Sequence, residues 1–148
     1  MSLLAMVLTG AILIASPLHA QNTAATGARS DALYRALGEK QGLTQLVDDF
    51  VNRLRDNPRI GVQFKSTNLK NLKIQLTDQL CMVSGGPCVY EGDDMKTAHA
   101  SLKITKSDFH ALVEVLQQAM DAQGIAFTTQ NQLLALLAPM HRDVITVR

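Results

Sequence analysis

The chain has no tryptophan, and its only aromatic side chains besides histidine are four Phe and two Tyr. So sparse a supply offers no platform on which successive nucleic-acid bases would stack. An excess of either charge is missing too: 14 Lys and Arg stand against 13 Asp and Glu, with the signs mixed along the chain. Neither nucleic acid nor an anionic membrane surface is therefore an expected partner. Cysteine is limited to Cys81 and Cys88, and no further pair is present to complete a zinc site. No convincing strand pattern, internal repeat or low-complexity block interrupts the sequence.

One long apolar run is present. Leu3 to Pro17 carries no charge, and Leu18-His19-Ala20 leads from it into the polar Gln21-Asn22-Thr23. About fifteen apolar residues are short for a membrane span but suit a secretory signal. Residues 1–20 are expected to be a signal peptide cut after Ala20, directing export to the periplasm, although no Lys or Arg precedes the run. An uncleaved membrane anchor is the alternative. Residues 21–30 are small and polar and form a flexible lead-in, and 31–148 suffice for one domain with one core. In an oxidising compartment Cys81 and Cys88 are expected to pair, closing a short loop worth about 2.5 kcal/mol on a chain-entropy basis. Two separate buried thiols are the other reading.

The apolar spacing is helical throughout. Asp31 to Leu37 predicts a short helix stopped by Gly38. Leu43, Leu46, Val47, Phe50, Val51 and Leu54 form the stripe of a second helix, closed by Asn57-Pro58. Arg59 to Thr67 reads as an irregular connection. Thr67 or Asn68 caps a third helix carrying Leu69, Leu72, Leu76 and Leu80, which must stop before Gly85-Gly86-Pro87. Ser107 is the expected cap of a helix lined by Phe109, Leu112, Val113, Leu116 and Met120 and ended by Gly124. Thr128 or Thr129 should start the last helix, which Pro139 kinks or weakens, and Ile145-Thr146-Val147 is a short tail. The fold class is all-α.

Between the third helix and the Phe109 helix, the stretch from Gly85 to Leu102 sets a turn-rich loop before a short helical pattern with one histidine, His99. An imidazole among small and apolar residues is suited to ligating an iron cofactor in a hydrophobic crevice. His110 and His141 are the only other histidines beyond residue 20, and both read as solvent-facing or helix-end residues.

The landmarks Leu33-Tyr34, Leu37-Gly38, Asp49-Phe50, Pro58-Arg59 and Phe64 continue with Gly85-Gly86-Pro87, Tyr90, Gly92 and Met95. Ala98-His99, Ile104, Phe109, Gly124 and Ala138-Pro139 complete the series. With these residues at these spacings, Leu33 to Val144 resembles the group 1 truncated haemoglobins. The resemblance implies a two-over-two helical sandwich that holds haem b and its iron, with His99 as the proximal iron ligand. No Cys-x-x-Cys-His is present, so the haem should be held without thioether bonds. Phe64, Leu72, Leu76, Met95, Ile104 and Phe109 are the implied haem-facing residues. Lys70, Lys73, Lys96 and Lys103 are candidates to meet the haem propionates.

The opposite wall departs from the family. Many members place Tyr directly after the helical Phe, where this chain has Val51, and Gln where it has Leu76; Leu72 is apolar as well. Dioxygen draws charge from iron when it binds, and nearby donors stabilise that polarisation. Losing two donors removes about 1.5–3 kcal/mol for each bond. Gln75 and Gln79 are the remaining donors. The expected activity is reversible binding of oxygen, nitric oxide or carbon monoxide, with fast oxygen release or ready autoxidation that Val51→Tyr would slow. Nitric oxide dioxygenation or weak peroxidase chemistry is the enzymatic alternative, and it would need a separate reductase. A haem-free helical interaction module is the third reading.

Overall fold

The computed structural model describes residues 30–147; the expected signal segment 1–20 and residues 21–29 of the lead-in lie outside the described residues. Helix α1 (Ala32–Ala36) turns sharply into α2 (Glu39–Asp56) at Leu37-Gly38, where Gly38 adopts φ +80°. That left-handed conformation is inexpensive only for glycine. The predicted stripe is the buried face of α2: Leu43, Leu46, Val47, Phe50, Val51 and Leu54 are all inside. The face packs mainly on α3 and α5, so α2 is the central element of the core.

Asn57 ends α2 in extended backbone, as a residue before proline must. Its side-chain oxygen then accepts from the amides of Arg59 (2.9 Å) and Ile60 (3.3 Å). The connection expected to be irregular contains a 3-10 turn, Gly61–Phe64. Helix α3 (Leu69–Val83) is capped by Asn68, which accepts from the Asn71 amide at 3.1 Å. Past its end, Gly85 takes φ +92°, and the Cys81 and Cys88 sulfurs are bonded with their Cα atoms 5.7 Å apart. Lys40 of α2 pairs with Asp78 of α3 and reaches the Cys88 sulfur at 3.6 Å, so three segments meet at this staple.

Helix α4 (Met95–His99) is a single short turn, and α5 (Lys106–Ala122) follows it. The expected cap of α5, Ser107, is corrected to Thr105. The Thr105 hydroxyl accepts from the Asp108 amide (3.2 Å), and the Asp108 carboxylate accepts from the Thr105 amide (2.9 Å). This reciprocal box satisfies two otherwise unpaired amides at once, leaving Ser107 two positions too far along the chain, already inside the helix, to serve. Helix α6 (Phe127–Leu137) also begins earlier than Thr128 or Thr129, without a side-chain cap. Buried Gln130 closes that corner instead, donating to the Asp121 carboxylate (2.8 Å) and the Ile125 carbonyl (2.9 Å).

Pro139 sits in a 3-10 turn, Ala138–Met140, that separates α6 from α7 (His141–Val144). The tail then folds back: the amides of Thr146 and Val147 donate to the Ile104 carbonyl at 3.0 and 2.9 Å. It thereby holds the segment that leaves α4. The described residues form an all-α domain without strands, and none of their helices is long and apolar enough to cross a membrane.

The α1–α2 corner depends on close backbone approach. A Cβ added at Gly42 would lie 2.2 Å from the Leu37 carbonyl oxygen. Helix propensity favours alanine over glycine by about 1 kcal/mol, but this overlap should outweigh it. We expect Gly42→Ala to destabilise the protein by about 1–3 kcal/mol, read as a lower urea midpoint. A raised midpoint would show that the corner can open.

Candidate functional site

Helices α2, α3, α4 and α5, closed by the 137–144 segment, surround a mostly apolar cavity of about 850 Å³. That volume lies toward the upper end of the range, about 300–1,000 Å³, in which small-molecule and cofactor sites fall. Phe64 enters it from the 3-10 turn, and Leu72, Gln75, Leu76 and Gln79 line it from α3 at helical spacing. Met95 and His99 line it from α4, Ile104 from the following loop and Phe109 from α5.

His99 is the chemically distinct group. Its Nδ1 lies 2.7 Å from the Met95 carbonyl one turn earlier, so Nδ1–H donates there and Nε2 retains the lone pair. Asp94 holds the turn from its other end, accepting from the Thr97 amide (2.8 Å) and hydroxyl (2.9 Å). Those bonds keep the Asp94 carboxyl below the usual aspartate value. Asp108 is lowered likewise, first by the Thr105 amide and then by its hydroxyl. Tyr90 also lines the cavity; burial, then the charges of Asp93 and Asp94, raises its phenol, which stays neutral and donates to the Asp93 carbonyl at 2.7 Å.

Several expected residues are placed differently. Val51 is fully buried in the core and does not line the cavity; its neighbour Phe50 does. One step along a helix turns a side chain by about 100°, so Phe50 and Leu54 share the cavity face while Val51 points away from it. The lysines are not cavity groups either. Lys73 is engaged by Asp48 and Asn52 of α2, and Lys70, Lys96 and Lys103 are exposed and off the lining. The polar side chains along the lining include Gln63, Thr67, His110 and Glu114 instead. His141 stands outside it, donating through Nδ1 to the Ala138 carbonyl (2.8 Å) and facing the Phe109 ring at 6.3 Å. Phe50, Tyr90, Leu102 and Met140 are lining residues that the sequence reading did not assign to the site. The i, i+4 pairing of Phe50 with Leu54 is the signal that would have found the first.

His99 thus presents an imidazole with one nitrogen anchored to the Met95 carbonyl in a crevice of this size. The chain matches the bacterial-like globin family over residues 32–146. It belongs to that family. The group 1 truncated hemoglobin of Mycolicibacterium paratuberculosis is 27% identical over 115 residues, spanning 78% of this chain and 85% of the relative. The group 1 truncated hemoglobin of Tetrahymena pyriformis is 25% identical over 117 residues, spanning 79% of this chain and 97% of that protein. The crystal structure of the Tetrahymena pyriformis truncated hemoglobin in its Fe(III) form superposes with a TM-score of 0.74 at 26% identity, covering 76% of this chain and 97% of that one. The fold is thus that of the truncated haemoglobins.

Globins hold haem b with its iron, and the residues here fit that group. The walls are apolar, and His99 offers a single imidazole donor; among the described residues no three His, Cys, Asp or Glu side chains cluster to hold a bare metal ion. The Gln75 side-chain oxygen is buried without a hydrogen-bond partner, as expected where an occupant of the cavity completes the packing.

The caps give this globin an acid-sensitive edge. Asp94 and Asp108 have lowered folded-state values, so their contribution is full above the unfolded value of about 4 and is lost as pH falls through the folded value. Asparagine keeps an acceptor but does not titrate. The fall in urea midpoint between about pH 5 and pH 3 should therefore be smaller in Asp94→Asn/Asp108→Asn than in the parent. An equal fall would place the acid sensitivity elsewhere.

Proposed function

We propose that this globin binds a diatomic gas reversibly at a haem iron ligated by His99 Nε2. When bound, haem supplies an iron centre with one coordination position left for the gas. The observation that carries the reading is the His99 geometry: Nδ1 donates to the Met95 carbonyl at 2.7 Å, which fixes the tautomer and turns Nε2 toward ligation. Phe64, Leu76 and Phe109 line the cavity and would exclude water from a bound porphyrin, whose two carboxylates would meet solvent or the polar side chains of the lining. The bonded cysteines support the reading that the chain is exported to an oxidising compartment, with the periplasm as the proposed location.

The ligand side is poor in donors. Leu72 and Leu76 present alkyl groups, and with the Gln79 amide nitrogen bonded to the Met95 sulfur, the Gln75 amide nitrogen is the donor left on α3. Oxygen should leave the ferrous protein quickly, whereas carbon monoxide, which gains little from donors, should bind well. Because Val51 is packed in the core, Leu76→Gln is the sharper way to restore a donor than Val51→Tyr. Stopped-flow measurement should show oxygen release slowed by about tenfold or more in Leu76→Gln, as one bond to a polarised ligand provides. Parent release as slow as the variant's would mean that Gln75 already supplies the bond.

The ligand assignment has its own test. Haem added to the purified protein should give ferric, ferrous and carbon monoxide spectra of a histidine-ligated globin, and His99→Ala should lose them until imidazole is supplied. Unchanged spectra in His99→Ala would sink the assignment.

A further inference from the structure

We infer that Gln79 is a positioning residue for His99, acting through Met95. The inference rests on His99 being the iron ligand. From its sequence position Gln79 is a spare donor toward a bound gas, but its amide is committed to the Met95 sulfur. Gln79 is 7% exposed, and its Nε2 donates to the Met95 sulfur at 3.4 Å and lies 3.9 Å from the Met140 sulfur. Met95 therefore takes two bonds: its side chain accepts from Gln79 of α3, and its carbonyl accepts from His99 Nδ1 at 2.7 Å.

The arrangement matters because α4 is only five residues long. Isolated helices shorter than about 12–15 residues are marginal in water, so neighbours must orient this one. The Asp94 cap is local and sets no angle between α4 and the rest of the fold. Methionine has three rotatable side-chain bonds and no rotamer strongly imposed by shape. A buried amide aimed at its sulfur selects one. With Met140 drawn to the same amide, Gln79 ties α3, α4 and the Ala138–Met140 turn at one point. The direction of the Met95 carbonyl, and with it the rotation and basicity of the His99 ring, follows from that tie.

The test uses the haem-loaded protein and two readouts besides ligand binding: the iron–histidine stretching band of the ferrous, ligand-free form, and the rate of haem transfer to excess apomyoglobin. Gln79→Met preserves volume and removes the donor; Met95→Leu preserves the carbonyl and removes the acceptor. Each should shift the stretching band and accelerate haem loss on the order of tenfold, the lower end for groups that orient a metal ligand. The double variant should add nothing to Gln79→Met, which already deletes the bond that Met95→Leu removes. If Gln79→Met does not fold, Met95→Leu alone decides. An unmoved band with unchanged haem loss, or fully additive effects in the double variant, would overturn the inference. Loss of the histidine-ligated spectrum in His99→Ala is read separately, so failure of the ligand assignment is distinguishable from failure of the Gln79 role.

Discussion

The bond from His99 Nδ1 to the Met95 carbonyl is the constraint around which the site is organised. It converts an ordinary imidazole into a directed donor by consuming one nitrogen and leaving the other. The bond lies inside a helix too short to be stable alone, so its geometry is borrowed from everything that touches α4. Asp94 closes the first turn, and the tail residues Thr146 and Val147 hold Ile104 just beyond the last one. The disulfide limits how far the loop leading into α4 can move from α3. A five-residue helix thus has supports before it, beneath it and after it.

Those supports depend in turn on α2. Its buried face meets both α3 and α5, the two helices that form opposing walls of the cavity. Gly38 and Gly42 let α1 fold back without pushing α2 outward, and Asn57-Pro58 stops it where the chain must turn toward Phe64. The cavity is accordingly a cleft between these helices, open to solvent where exposed Thr67, His110 and Glu114 line it.

The helices were legible because their signals are local and strong: a six-residue apolar stripe on α2, an Asn cap on α3, and two glycines with a proline after it. The corrected helix starts show where locality fails. Thr105 beats Ser107 because only it can trade bonds with Asp108, and α6 starts without a cap because Gln130 closes its corner by tertiary contact. In the site, His99 was legible from its setting and from the family landmarks. Val51 was assigned to the gas side from sequence position, but a single helical step decides between core and cavity, and Phe50 took the cavity face. The lysines were chosen for charge alone, and Lys73 shows the weakness of that choice: Asp48 and Asn52, both on α2, already hold it.

The same accounting of partners defines the chemistry of the gas-binding wall better than its composition does. Uncharged donors on the cavity lining include Gln63, Thr67 and Tyr90, and α3 contributes two more, Gln75 and Gln79. The Tyr90 hydroxyl is committed to the Asp93 carbonyl, and the Gln79 amide to the Met95 sulfur. A donor already bonded within the protein must break that bond to serve a ligand, so its net benefit is small. On α3 that leaves the Gln75 amide nitrogen as the donor, while its oxygen is buried without a partner beside Gly92, whose missing Cβ leaves room for it. A bond to a polarised ligand is worth about 1.5–3 kcal/mol, or roughly ten- to more than a hundredfold in affinity. On the proposed function, discrimination between oxygen and carbon monoxide would turn on whether this one amide swings toward the iron side. On that proposal the apolar walls would accept any small apolar gas, and Gln75 is the α3 residue through which the site would favour a polarised one.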